Sequence, residues 1–403
     1  MTKIQQIITF INKFSLGLMV PVLNLILLEK GADLTTLPIF MALYAVTVLC
    51  FELPSGICAD IYGRKTVFLL SCVFQLFSLV LLLLASNMVL LILSIIFTGI
   101  SRSFASGSLD ALIIDQAIDL QGEESLPSVT SRLAILDAVA LASGGIAGGM
   151  IAYISSSYLT NVVVRIGFTV AVFLLCLLYI KEVQQHAGKE ERVPLPEHLK
   201  NGKEVLLSVP IFKFLLIGVF FSGFFVITLE TYWQSAFLGV STLADSSWVL
   251  GIISFIGYMA SASGNTLSLR LLQRFKNHHW RVYIISQAVL CSCILILALM
   301  KNGFSFILGY ASIYLLMGFG EVVTNSLINK YTPNQVRASM LSLYSFLLQG
   351  GAMCASIFSS IMVSRLEIQG VWIVAGIMIG GYALLVAVIT YIRKGLILKE
   401  DSN

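Results

Sequence analysis

Twelve apolar runs, each about one membrane crossing long and each bounded by charge or turn residues, divide this chain. They lie at 7–28, 36–58, 66–86, 88–113, 129–153, 160–180, 211–233, 247–269, 282–300, 304–328, 339–363 and 370–392. A helix needs about 20 predominantly apolar residues to cross the hydrocarbon of a bilayer. The pattern therefore predicts an all-α integral membrane protein of about 12 transmembrane helices. Composition rules out a water-soluble alternative. Hydrophobic residues make up 58% of the chain and charged residues 11%, and the mean hydropathy is +0.93. Soluble domains run near 45–50% apolar and about 25% charged.

The runs form two sets of six, separated by the longest polar stretch, Lys181 to about Val209. This predicts an N-terminal bundle over 1–185, a central loop over 186–209 whose second part can form a surface helix, and a C-terminal bundle over 210–403 with a short tail. Basic residues in short loops mark the cytoplasmic side. One side carries Lys3, Arg64, Lys65, the central-loop cluster, Arg270, Arg274, Lys276, Arg281, Lys330, Arg337, Arg393, Lys394 and Lys399. The other carries little beyond Lys30, Arg165, Lys301 and Arg365. Both termini and the central loop are thus expected in the cytoplasm of a cell whose plasma membrane holds the protein. The net charge of +4 points to no nucleic-acid partner, and the seven cysteines, all inside apolar runs, read as reduced apolar side chains. No metal or other cofactor is expected, and a monomer is the default.

Between the second and third runs stands Glu52-Leu53-Pro54-Ser55-Gly56-Ile57-Cys58-Ala59-Asp60-Ile61-Tyr62-Gly63-Arg64-Lys65. Gly63 permits a sharp bend, and Asp60 can pair with a cation or cap a helix. This segment closely resembles the signature loop of the major facilitator superfamily, and the resemblance covers the whole chain. It implies two six-helix bundles of the major facilitator fold and a conformational latch made by Gly56, Asp60, Gly63, Arg64 and Lys65. It further implies that Asp115 is the partner carboxylate. Arg102-Ser103-Phe104-Ala105-Ser106-Gly107 and Gly144-Gly145-Ile146-Ala147-Gly148-Gly149 resemble two patterns of proton-coupled antiporters, the second with glycine in place of the usual proline. The nearest likeness is to bacterial drug-efflux members. The glycines of the fifth run serve either plain helix contact or mechanism.

An ionisable side chain at mid-bilayer costs about 2.5–3.5 kcal/mol on insertion scales. Lys13, Arg102, Asp110, Asp137, Glu230 and Glu321 all lie inside apolar runs, and in the fold implied by the resemblance most would face the central cavity. Lys13 either snorkels to the nearby boundary or belongs to the cavity. Glu230 lies near the outer end of its run, where water can reach it, and Asp110 can belong to the latch. Glu321, with Asp137, is the candidate carrier of a coupling proton, with Arg102 tuning it; a static ion pair is the competing reading.

The aromatic seventh run supplies the candidate substrate-binding residues Phe221, Phe224, Phe225 and Trp233, joined by Asn325 of the tenth run. Core or lipid-facing packing is the alternative for any one of these aromatics. The expectation is a secondary active transporter. It would use the proton gradient to expel hydrophobic or amphipathic small molecules, multidrug-fashion, by alternating access. Import of a small metabolite is the alternative, and a non-transporting membrane sensor the third. No phosphate-cradling Gly-x4-Gly-Lys-Ser/Thr loop is present for direct ATP use, and no nucleophile–base pair suggests an enzyme.

Overall fold

A computed structural model describes residues 1–181 apart from 107, 123 and 125, then 210–242, 247–275, 278–331 and 337–392; the surface helix expected in the central loop lies outside these. Every regular element among them is helical, as lipid requires: backbone groups in hydrocarbon must bond within their own segment. The helices are α1 (Lys3–Gly17), α2 (Leu23–Glu29), α3 (Leu37–Tyr62), α4 (Arg64–Leu84), α5 (Met88–Ala105), α6 (Leu109–Gln121), α7 (Leu126–Ser155), α8 (Leu159–Tyr179), α9 (Pro210–Val240), α10 (Ser247–Arg274), α11 (His279–Ala298), α12 (Gly303–Tyr331) and α13 (Arg337–Ile392).

Among the described residues nine helical stretches are long and apolar enough to cross a bilayer. The last of them bends at Glu367 (φ 57°, ψ 177°) and holds two crossings. Adding α3 and the α1–α2 pair, the crossings match the runs read from the sequence. Side chains such as Ile135, Ile154, Leu178 and Leu384 are each more than 60% exposed, a surface that only lipid solvates comfortably.

Local chemistry sets the ends. Thr2 and Gln5 form a reciprocal capping box on α1. Asp33 accepts from the Thr35 hydroxyl (2.6 Å) and the Thr36 N–H (2.8 Å) in the turn before α3, and these bonds hold its carboxyl below the ordinary aspartate range. Gly63 (φ 87°, ψ 152°) joins α3 directly to α4 in a conformation that only glycine adopts readily.

Two runs are broken where the sequence reading had them continuous. The first breaks at Leu18–Val22, around Pro21, which has no N–H to continue the helix. The N–H of Val22 turns to Met19 O, so Leu18 O loses its intrahelical donor. Asn161, fully buried in α8, supplies one: its Nδ2 donates to Leu18 O (2.9 Å) and to Gly148 O (2.8 Å). The fourth run breaks between α5 and α6, where Ser106 and Ser108, of modest helix propensity, interrupt it. Ser106 is extended (φ −62°, ψ 125°), and Ser108 Oγ donates to Phe104 O (2.8 Å).

The chain forms two compact units, Met1–Gly188 with Leu243–Tyr258, and Lys189–Thr242 with Met259–Asn403. In the first, α1 packs on α7 and α8, α4 on α5 and α8, and α3 on α5. The glycines of α7 serve two neighbours. A Cβ on Gly144 would overlap Phe14 O and stand 2.9 Å from Gly17 Cα; a Cβ on Gly149 would stand 2.8 Å from Gly251 Cα. Residues four apart thus let α1 approach on one side, and their successors let the start of α10 approach on another. In the second unit α9 packs on α13, and α11 on α12 and α13. Its core gathers Trp280, Tyr283, Phe319, Val323 and Tyr382.

Candidate functional site

The first unit has an apolar cluster near each end of its helices. One contains Met19, Leu79, Ile95 and Val162; the other contains Ile8, Phe68, Val172 and Cys176. Between them, at mid-height on α1, α4, α5 and α8, lies a cavity of about 190 Å³. Its lining includes Asn12, Lys13, Tyr44, Gln75, Arg102, Asp110 and Arg165.

Lys13 reaches into this level rather than away from it. Its Nζ stands 2.6 Å from Asp137 Oδ2 on α7 and 3.5 Å from Asp110 Oδ2 on α6. The Lys13 side chain is 15% exposed. The other oxygen of each carboxylate is buried with no hydrogen-bond partner. One ammonium is thus shared by two carboxylates.

The α3–α4 turn lies at one end of the same unit. Arg64 Nη1 bonds Asp115 Oδ2 at 2.7 Å, and Lys65 Nζ donates to Leu177 O at 2.9 Å. Gln116 Nε2 donates to Lys181 O (2.8 Å) and accepts at Oε1 from Gln5 Nε2 (2.5 Å). The Asp60 side chain and the turn around Pro333 that precedes Arg337 lie outside the described residues. Gly56 faces open space: nothing lies within 4 Å of a Cβ built there. Helix α6 carries both Asp110 and Asp115, so the thirteen residues from Leu109 to Gln121 connect the Lys13 cluster to the Arg64 pair.

Charge reversal gives a direct test of that pair. Arg64→Asp alone is expected to lower the melting temperature of the purified protein, and Arg64→Asp with Asp115→Arg to recover most of the loss. The pair is partly exposed, so its net worth is about 1 kcal/mol or less. No recovery in the double variant would show that the pair does not act as a pair.

In the second unit Glu230 is half-buried. The Tyr314 hydroxyl donates to its Oε1, and the Tyr314 ring packs tilted against Tyr310, centroids 4.5 Å apart. Trp233 is fully buried against Tyr310 (5.1 Å), Phe225 is buried, and Phe224 packs on Phe358 (5.7 Å). Phe221 lies half-buried between Phe220 and Tyr382. Asn325 is half-buried on α12, and Glu321 on the same helix is exposed. Arg102 lines the first unit's cavity and forms no ion pair among the described residues.

Two residues of the site were not singled out from the sequence. Arg165 was counted among the residues of the outer loops, yet it stands within α8, is 6% exposed, and donates from Nη2 to Gln75 Oε1 at 3.2 Å. Its place five residues inside the run 160–180 was the available signal. Gln75 has none beyond being an amide in the third apolar run.

The family model of the Major Facilitator Superfamily matches residues 7–333. The chain belongs to the Major Facilitator Superfamily. It is accordingly a membrane transporter rather than an enzyme. A relative in Bacillus subtilis (strain 168), named uncharacterized MFS-type transporter YxaM, is 21% identical over 392 residues, which cover 94% of this chain and 92% of that one. Among solved structures, nucleoside transporter NupG superposes with a TM-score of 0.77 at 13% identity, covering 96% of this chain and 99% of that chain. A POT family transporter in complex with a thioalcohol-conjugated peptide gives 0.73 at 13% identity, covering 96% and 95%. These structural likenesses show the fold.

Proposed function

We propose that this superfamily member is a proton-coupled secondary transporter, and that the coupling site is the Lys13–Asp110–Asp137 cluster. The observation that carries this reading is the single ammonium held 2.6 Å from one carboxylate and 3.5 Å from another. Protonation of Asp137 removes its hold on Lys13, which then pairs with Asp110 alone. That is a two-state element biased by one proton. Because Asp110 and Asp115 share α6, a shift at the cluster reaches the Arg64–Asp115 pair through one short helix. The pair would act as the latch, at the cytoplasmic side of the plasma membrane. Glu321, exposed on α12, and Glu230, held by Tyr314, are the competing proton carriers.

The polar lining of the first unit's cavity favours a solute with charged or hydrogen-bonding groups. Efflux of amphipathic drugs is the second reading. It is favoured by an apolar recess of about 380 Å³ in the second unit, lined by Leu216, Ile217, Phe220, Leu343 and Leu347 with Lys213.

The test uses proteoliposomes loaded with a pH-sensitive dye. Panels of small organic anions, neutral polar metabolites and amphipathic drugs are added in turn. The expected result is a proton flux elicited by one panel and erased by a protonophore. If none of the panels elicits protonophore-sensitive flux, proton coupling is wrong.

A further inference from the structure

The charges around the first unit's cavity are unevenly satisfied. Lys13 holds both Asp110 and Asp137. Arg102 and Arg165 have no carboxylate within ion-pair distance among the described residues. Arg165 is 94% buried by its 6% exposure, so bulk water does not solvate its charge. A guanidinium stays protonated at any pH a cell reaches, so the cavity carries a permanent positive excess.

The donors are uneven in the same way. Arg165 spends Nη2 on Gln75 Oε1 (3.2 Å), while its Nε is buried with no hydrogen-bond partner. Gln75 Oε1 also lies 3.5 Å from Ser101 Oγ, so the acceptor end of the amide is engaged. Its Nε2 is buried with no partner either. Both residues line the cavity. What is missing on the protein side is therefore acceptors and negative charge together. Buried donors without partners are uncommon in native structures and ask for an explanation.

We propose that Arg165 and Gln75 are the anchor for an oxyanion, the carboxylate or phosphate of the transported solute, a role that rests on this cavity belonging to the solute pathway. Guanidinium nitrogens match the paired oxygens of such groups. Gln75 fixes the guanidinium through Nη2 and offers its own amide beside it, and Arg102 adds a second positive charge to the same cavity. The volume of about 190 Å³ is below the roughly 300–1,000 Å³ of pockets that enclose whole small molecules. It accommodates the charged head of a solute.

Purified protein is titrated with acetate, benzoate, benzamide and inorganic phosphate at constant ionic strength, with thermal unfolding as the readout. Benzoate or phosphate should raise the melting temperature and benzamide should not. A carboxylate-only or phosphate-only response assigns the class. Arg165→Gln should weaken the responding anion about tenfold or more, with Arg165→Lys between the two. Gln75→Leu, which keeps the charge, should weaken it less and serves if the Arg165 variants fail to fold. Equal shifts with benzoate and benzamide, no shift with any anion, or wild-type affinity in Arg165→Gln and Gln75→Leu would each overturn the assignment. Proton flux separates the two ideas. Protonophore-sensitive flux without oxyanion selectivity removes the anchor and leaves the coupling; selective binding without flux does the reverse.

Discussion

Asp137→Asn is expected to abolish uphill transport while leaving downhill exchange of the same solute. The substitution keeps the side-chain volume but removes the charge nearest Lys13. Lys13 is then left with Asp110 at 3.5 Å as its one carboxylate, and the cluster has no second state for a proton to select. Uphill accumulation in proteoliposomes should fall to the level set by passive exchange, a loss on the order of 100-fold, as befits removal of a group that must itself carry the proton. Lys13→Met should behave alike, with an added loss of stability, since two carboxylates then face each other in the cavity. Removing one partner of a fully buried pair costs about 3–5 kcal/mol, whereas replacing both partners with apolar residues is often near neutral; Lys13 and Asp137 are partly exposed, so the loss here should be smaller. The double variant Lys13→Met, Asp137→Leu is therefore expected to recover most of the stability and none of the coupling. Uphill transport in that double variant would show that the cluster only fastens α1 to α7.

Gly144→Val is expected to prevent folding of the first unit. The new Cβ would overlap the Phe14 carbonyl oxygen and approach Gly17 Cα and Phe14 C to 2.9 and 3.1 Å. These are backbone atoms, so no rotamer change relieves the contact, and α1 and α7 must move apart. Overpacking costs about 1–3 kcal/mol where side chains can yield, and this position should exceed that. The same separation would pull Lys13 from Asp137, because both lie on the two helices involved. Gly167→Ala, where nothing lies within 4 Å, is the matched control and should leave the melting temperature within about 0.5 kcal/mol of equivalent stability. A folded Gly144→Val protein with a wild-type melting curve would refute the close packing of α1 on α7.

Much of this protein is legible in one dimension. Hydrocarbon tolerates only internally bonded backbone, so the length and spacing of apolar runs specify the helices and the membrane setting. Gly63-Arg64-Lys65 marks the α3–α4 turn because few residues other than glycine accept φ 87°. What the runs do not encode is partnership. Lys13, Asp110 and Asp137 are each visible as costly charges, but they are separated by up to 124 positions. Only the close approach of α1, α6 and α7 makes them one cluster. Breaks in helices depend on compensation elsewhere: Pro21 permits the interruption after α1, and Asn161, 143 residues from Leu18, satisfies the carbonyl it frees. Aromatic side chains carry the least positional information of all, because core packing and solute binding use the same residues. The structure puts Phe225 and Trp233 in the core and gives the polar cavity to Gln75, Arg102 and Arg165. The sequence by itself determined the membrane crossings, their number and the family; burial and side-chain pairing, which depend on distances between helices, decided where the charges meet.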